Sequence, residues 1–229
     1  MFSIQQISTS DFDKIILTDT VSGTVVEVIP SCGAILHAFQ VMYDGRSLNV
    51  IDNYDSADDF KKNVSSKGFK SCKLSPFACR VKNASYVFAD QKFTIKKFLL
   101  GENALHGLLY DMPFEVVGQH TADDHAGVSL IYQYKGAEAG YPFHYDCIIT
   151  YLLQANNLLT ISTDIINKDE RAIPIQDGWH PYFTFGGKIN DLLLEFQSLE
   201  AIVFDGAMIP TGEKKPYEEF GSLKAIGES

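Results

Sequence analysis

Six histidines are the side chains of this 229-residue chain best suited to moving a proton near neutral pH, because imidazole alone has an ordinary pKa, ~6.5, in that range. Their neighbours separate them. His37 lies in an apolar, strand-like run and reads as a core histidine with satisfied partners. His120 and His125 flank Thr121-Ala122-Asp123-Asp124, a solvated turn whose spacing puts the rings on no common strand or helix face. His144 and Asp146 share a strand face, but a metal site wants a third ligand and none is near in sequence. His106 and His180 stand apart. Gly107 directly after His106 lets the backbone turn sharply and leaves a ligand room to approach. His180 sits in Asp177-Gly178-Trp179-His180-Pro181-Tyr182-Phe183, between the only tryptophan and an aromatic pair. Rings around a titratable group suit a sugar, whose C–H face packs on an aromatic while its hydroxyls meet polar side chains. The bland alternative is that Trp179, Tyr182 and Phe183 are ordinary core residues and His180 satisfies a buried partner. Other chemistries lose their support: there is no G-x-S-x-G elbow, no H-E-x-x-H, no P-loop and no G-x-G-x-x-G.

The elements that must position these residues read as strands. Leu159 to Ile165 and Val128 to Tyr134 alternate apolar and polar, which places one strand face on a core. Thr24 to Ile29, Ile35 to Val41, Tyr145 to Leu153 and Leu192 to Phe196 are further β-rich runs, and 16 Phe with 11 Tyr supply β-prone aromatics. Tyr43-Asp44-Gly45-Arg46, Ala155-Asn156-Asn157 and Asn167-Lys168-Asp169-Glu170 are turns short enough to join antiparallel neighbours. Ser56 to Lys67 carries a candidate cap, Ser56, but few apolar positions, and is expected to be a loop with at most a helical turn. Thr211 to Pro216 reads as a polar turn. The expectation is an all-β, large antiparallel sandwich forming one domain over residues 1–229.

Composition bounds the partners. Hydrophobic residues make up 45% and charged residues 21%, enough apolar material for a core. A net charge of -10 is the wrong sign for neutralising nucleic-acid phosphates or an anionic membrane. Cys32, Cys72, Cys79 and Cys147 form no C-x-x-C pair and read as free thiols, and no signal-like start or long apolar run occurs. A cytoplasmic enzyme or binding protein, monomeric or homodimeric, is expected, with neither nucleic acid nor membrane as partner.

Five stretches, in order, resemble the aldose 1-epimerases, the galactose mutarotases and related sugar mutarotases: Cys79-Arg80-Val81 with Tyr86-Val87-Phe88, Asn103 to Gly107, Gly140-Tyr141-Pro142, His180 to Phe183, and Ile209-Pro210-Thr211-Gly212. The resemblance implies a galactose mutarotase-type β-sandwich with an open cleft, interconverting the α and β anomers of a free hexose such as galactose or glucose with no cofactor and no metal. By motif, His180 resembles the general acid to the ring oxygen and His106 a second contact there. Arg80 is similar to the arginine that holds sugar hydroxyls with its planar donor fork. Asn103, Trp179 and Phe183 join it as substrate-binding candidates, the last two as a stacking platform.

The family's glutamate base and its sugar-binding aspartate lie further beyond the Pro-Thr-Gly segment than this chain extends. Glu213, Glu218, Glu219 and Glu228 lack the surrounding pattern, so the base is unassigned. The expectation is a chain short of its C-terminal strands and weakly active or inactive in the 229-residue form. Two alternatives remain: a non-catalytic carbohydrate-binding protein using the same cleft, and a sugar-phosphate epimerase. The latter would need a cationic cluster, for which Lys70 and Lys73 lie just before Arg80.

Overall fold

A computed structural model describes residues 1–195 and 197–217, together with the backbone of residues 224 and 225. They divide into two compact units, Met1–Phe183 and a second that begins at Thr184. The first unit opens with β1 (Phe2–Ser8), β2 (Asp13–Asp19), β3 (Thr24–Ile29), β4 (Ile35–Tyr43) and β5 (Arg46–Asn49), a five-stranded antiparallel sheet in chain order. Asp44 and Gly45 both take positive φ, the geometry of a tight hairpin turn whose twist matches its flanking strands.

Helix α1 (Ala57–Asn63) follows, then β6 (Cys72–Leu74), β7 (Arg80–Val81), the hairpin of β8 (Ser85–Phe88) with β9 (Gln91–Thr94), β10 (Leu99–Leu100) and β11 (Asn103–Leu105). The segment expected as a loop is therefore helical in part. The Ser56 hydroxyl accepts from the Asp59 N–H at 3.0 Å, and Phe60, buried edge-on against Tyr54, anchors one face. A capped helix of two turns needs only that single apolar anchor once tertiary packing supplies the partner.

β12 (Glu115–Thr121), β13 (His125–Lys135), β14 (His144–Gln154) and β15 (Leu158–Asn167) form a four-stranded antiparallel sheet, and β16 (Gly178–His180) pairs with β6. Asn156 and Asn157, both at positive φ, close the β14–β15 hairpin. Leu17, Val26 and Val28 of the first sheet and Val128, Leu130, Ile149, Tyr151 and Leu153 of the second are buried in one cluster. Each such side chain contributes roughly 1.5–3 kcal/mol. The Tyr151 hydroxyl donates to the Ala34 carbonyl at 2.6 Å, and Thr24 hydrogen-bonds Asn157, so polar ties join the two sheets as well. The all-β antiparallel sandwich read from the strand pattern is what the chain forms.

The four histidines outside the candidate site find partners of their own. His37 meets Glu27 at 3.2 Å through Nδ1 and the Tyr54 carbonyl at 3.0 Å through Nε2. His144 pairs with Asp169 at 2.8 Å. His120 and His125, expected on no common face, lie with ring centroids 5.0 Å apart. The β12–β13 hairpin folds one over the other, and Gly127 opposite His120 leaves the ring space, since a Cβ there would sit 2.4 Å from Cε1.

In the second unit, β17 (Leu193–Leu194) pairs with β20 (Lys224–Ala225), and β18 (Glu200–Phe204) with β19 (Pro210–Pro216). The polar turn expected over Thr211 to Pro216 is instead an exposed strand, held by ladder hydrogen bonds and by Lys214 on Glu200 at 2.8 Å. A two-stranded ribbon needs no apolar alternation, so periodicity did not reveal it. Of the run Leu192 to Phe196, only Leu193–Leu194 is strand, and Phe196 lies outside the described residues.

Candidate active site

His106 and His180 are brought together by two short strand pairings. Antiparallel β11 and β7 set Leu105 opposite Arg80, and the His106 N–H then donates to the Cys79 carbonyl at 2.9 Å. β16 lies on β6 with His180 opposite Cys72, Trp179 opposite Lys73 and Gly178 opposite Leu74. The two imidazole centroids end 5.1 Å apart, nearly perpendicular at 81°. Tyr182 stacks on His180 at 5.4 Å, and Phe69 meets His106 edge-on at 4.7 Å.

The backbone around this pair is strained. His106, Phe69, Ser71 and Cys79 all have left-handed φ, 60°, 56°, 54° and 57°, which non-glycine residues seldom adopt and which collect at functional sites. Gly68, at φ +77°, is required because a Cβ would sit 2.2 Å from the Tyr182 hydroxyl. Gly107 turns the backbone as its sequence suggested, but the space it leaves is taken by protein backbone. At φ +80° its missing Cβ leaves room for the Ser75 carbonyl, which a side chain would approach to 2.3 Å. The glycine therefore admits neighbouring backbone, and the Leu108 N–H donates to that carbonyl at 2.7 Å.

Burial, then electrostatic interaction with His180 and with the Arg80 guanidinium, pushes His106 down to a pKa of about 4. His106 is therefore neutral near pH 7. Its Nδ1 is buried without a hydrogen-bond partner. A buried acceptor left short of a partner is better tolerated than an orphaned N–H, so the favoured tautomer keeps a lone pair on Nδ1 and presents Nε2–H as a donor. His106 can thus hydrogen-bond an oxygen but does not bring it a transferable proton at neutral pH.

The remaining predicted residues are dispersed around the pair. Arg80 is half-buried and close enough for its charge to act on His106. The Asn103 carboxamide oxygen accepts from the Asn83 N–H at 2.9 Å, which leaves its NH₂ free to donate. Phe183, bridged to Ile51, is 64% exposed. Trp179 is on the face of β16 opposite His180, packed on the core with the Lys73 ammonium 4.6 Å from its ring. Lys70 pairs with Asp52 at 2.5 Å and Lys73 with Asp177. Among the described residues no three His, Cys, Asp or Glu side chains converge as a metal-holding group.

Two imidazoles converging from motifs far apart in the chain agree with the family match, which covers residues 14–229 under the description Aldose 1-epimerase. The chain belongs to the aldose 1-epimerase family. It is 29% identical over 213 residues to a protein named Maltose epimerase from Levilactobacillus brevis, covering 90% of this chain and 60% of the relative. It is 26% identical over 222 residues to a protein named Aldose 1-epimerase from Streptococcus thermophilus, covering 94% and 62%. The chain thus spans about three fifths of the length of these curated relatives. A galactose 1-epimerase structure from Lactobacillus acidophilus superposes with a TM-score of 0.80 at 22% identity, covering 100% of this chain and 68% of the other. The sandwich is of the galactose mutarotase type.

Several contacts around this histidine pair were not legible in the sequence. Phe69 belongs to no motif, and its contact with His106 follows from the left-handed turn that closes the segment after α1. Tyr182 was visible within the His180 to Phe183 stretch, but nothing there indicated that it stacks on His180. Lys73 and Asp177 meet across 104 positions in the chain, beyond the reach of any local pattern. Glu213 is exposed in the second unit, and Glu218, Glu219 and Glu228 lie outside the described residues.

Proposed function

We propose that the protein interconverts the α and β anomers of a free hexose, of the galactose or glucose kind, by acid–base ring opening. The observation supporting this reading is the approach of the His106 and His180 rings to 5.1 Å, which lets both imidazoles reach one pyranose oxygen. His180 donates the proton to the ring oxygen. His106, neutral, donates a hydrogen bond through Nε2 and shares the charge developing there. A carboxylate, to which no residue is assigned, removes the anomeric proton; the C1–C2 bond rotates in the open aldehyde, and closure on the other face gives the other anomer. Arg80, the Asn103 NH₂ and Phe183 are assigned to the sugar hydroxyls and ring. Trp179, placed on the far strand face, is assigned to holding the strand. Residues 1–229 are read as one mutarotase domain acting in the cytoplasm, as a monomer or homodimer, and free Cys32, Cys72, Cys79 and Cys147 suit a reducing compartment. No helix among the described residues is long and apolar enough to cross a membrane.

Polarimetry on fresh α-galactose, α-glucose and maltose tests the reading. Maltose is included because one relative is named for it. With its base unassigned, the 229-residue form is expected to be weakly active or inactive, and where rotation decays faster than in buffer, His180→Asn is expected to lower turnover by ~10²–10⁴-fold while the fold persists, the usual share of a general acid. Saturable sugar binding in a calorimeter with rotation decaying at the buffer rate would replace catalysis by carbohydrate binding in the same cleft. The sugar-phosphate alternative loses its cations, since Lys70 and Lys73 are already paired with Asp52 and Asp177.

A further inference from the structure

We propose that Lys73 is a positioning residue, holding His180 in place from the opposite face of its strand. Its meaning for catalysis rests on the assignment of His180 above; the placement itself does not. Lys73 is fully buried, where an ammonium gives up its hydration at considerable cost. A methionine or leucine would fill the space against Trp179 without that cost. What the lysine adds is three anchors: an ion pair to the Asp177 carboxylate, a hydrogen bond to the Thr163 hydroxyl at 2.9 Å, and a seat 4.6 Å from the Trp179 ring centroid.

Those anchors fall where β16 is weakest. The strand has three residues and, among the described residues, β6 is its only ladder partner, itself three residues long. So short a pair is marginal unless other contacts hold it. Asp177 immediately precedes β16, Trp179 is its central residue, and Thr163 belongs to β15 of the four-stranded sheet. One cation therefore ties the start and middle of β16 to a ten-residue strand elsewhere in the unit. It also sets the register. Lys73 stands directly opposite Trp179, and a slip of one residue would turn Trp179 outward and His180 away from His106. Fixing register is the best-attested use of a buried polar group.

The test compares Lys73→Met with the double variant K73M/D177L in the full 229-residue chain. It reads the nuclear Overhauser contact between the His106 and His180 rings, the His180 ring shifts, and thermal stability. Lys73→Met strands a carboxylate and is expected to lower stability and weaken the ring contact at least several-fold. In K73M/D177L the stranded charge is gone, so stability is expected to recover while the ring contact stays weak. Where wild type accelerates mutarotation, the double variant should lose ~10–100-fold in turnover at nearly unchanged KM, as for a misplaced catalytic group. A ring contact and His180 shifts at wild-type values in K73M/D177L would overturn the proposal, because a merely structural lysine predicts that recovery. Should the double variant fail to fold, Thr163→Val removes one anchor from β15: a weakened ring contact supports the positioning role and an unchanged one overturns it. A wild-type chain without mutarotase activity defeats the function proposed above and leaves the ring contact to decide this question.

Discussion

At His106 the same burial that builds the site decides its protonation. Desolvation disfavours the imidazolium, and the neighbouring His180 and the Arg80 guanidinium disfavour it further, so the ring titrates near pH 4. In the unfolded chain it titrates near ~6.5. Between those values the unfolded state binds a proton that the folded state refuses, so stability falls as pH drops from about 6.5 toward about 4. Long-range ¹H–¹⁵N spectra of the ring nitrogens should find His106 neutral at pH 5, with Nε2 protonated, and His106→Asn should flatten the stability slope across this window. A His106 midpoint near 6.5 would sink the neutral-donor role. Histidine identity was legible at this scale; its protonation state was not, because it depends on neighbours supplied by other strands.

Between elements, Glu27 on β3 joins two neighbours, accepting from Lys14 of β2 at 2.8 Å and meeting His37 of β4 at 3.2 Å. The hydrogen bond with His37, then Lys14, holds its carboxyl at about 2, against 4.5 ordinarily. A depressed carboxylate stabilises the fold above its unfolded pKa and loses that contribution as pH falls through about 4.5 toward about 2. Glu27→Gln is expected to destabilise by up to ~3 kcal/mol at pH 7 and by much less near pH 2.5. Urea titrations of both proteins at the two pH values check this, and an equal loss at both would refute it. The same sheet shows what periodicity can convey: Thr24 to Ile29 was predicted as a strand and is β3. Its ionic partners could not be foreseen, since Glu27 and His37 read separately as a polar position and a core histidine.

On the scale of the molecule, every buried apolar side chain among the described residues lies between Phe2 and Leu153. The first unit therefore holds its own core, and a fragment ending at Phe183 is expected to unfold cooperatively, with a urea midpoint close to that of the full chain. Trp179 fluorescence reports this directly, as it is the only tryptophan and packs on that core. A broad, featureless transition for residues 1–183 would show that the core depends on the segment beginning at Thr184.

Alternation in Val128 to Tyr134 and Leu159 to Ile165, turn residues at Asp44-Gly45 and Asn156-Asn157, and ordered short motifs were enough to determine an antiparallel β-sandwich of the aldose 1-epimerase family. These signals are local: a two-residue period and a positive φ are written within a few positions. The helix after Ser56 and the ribbon strand at Pro210–Pro216 escaped because capping by one side chain and pairing without an apolar face leave no period to read. Which residues meet was decided only in three dimensions. His120 reached His125 through a hairpin, Trp179 turned from His180 because neighbours on a strand face opposite ways, and Lys73 met Asp177 and Thr163 across sheets. Strand pairing is made by backbone groups common to all residues, so the sequence names the strands while register and packing choose the neighbours.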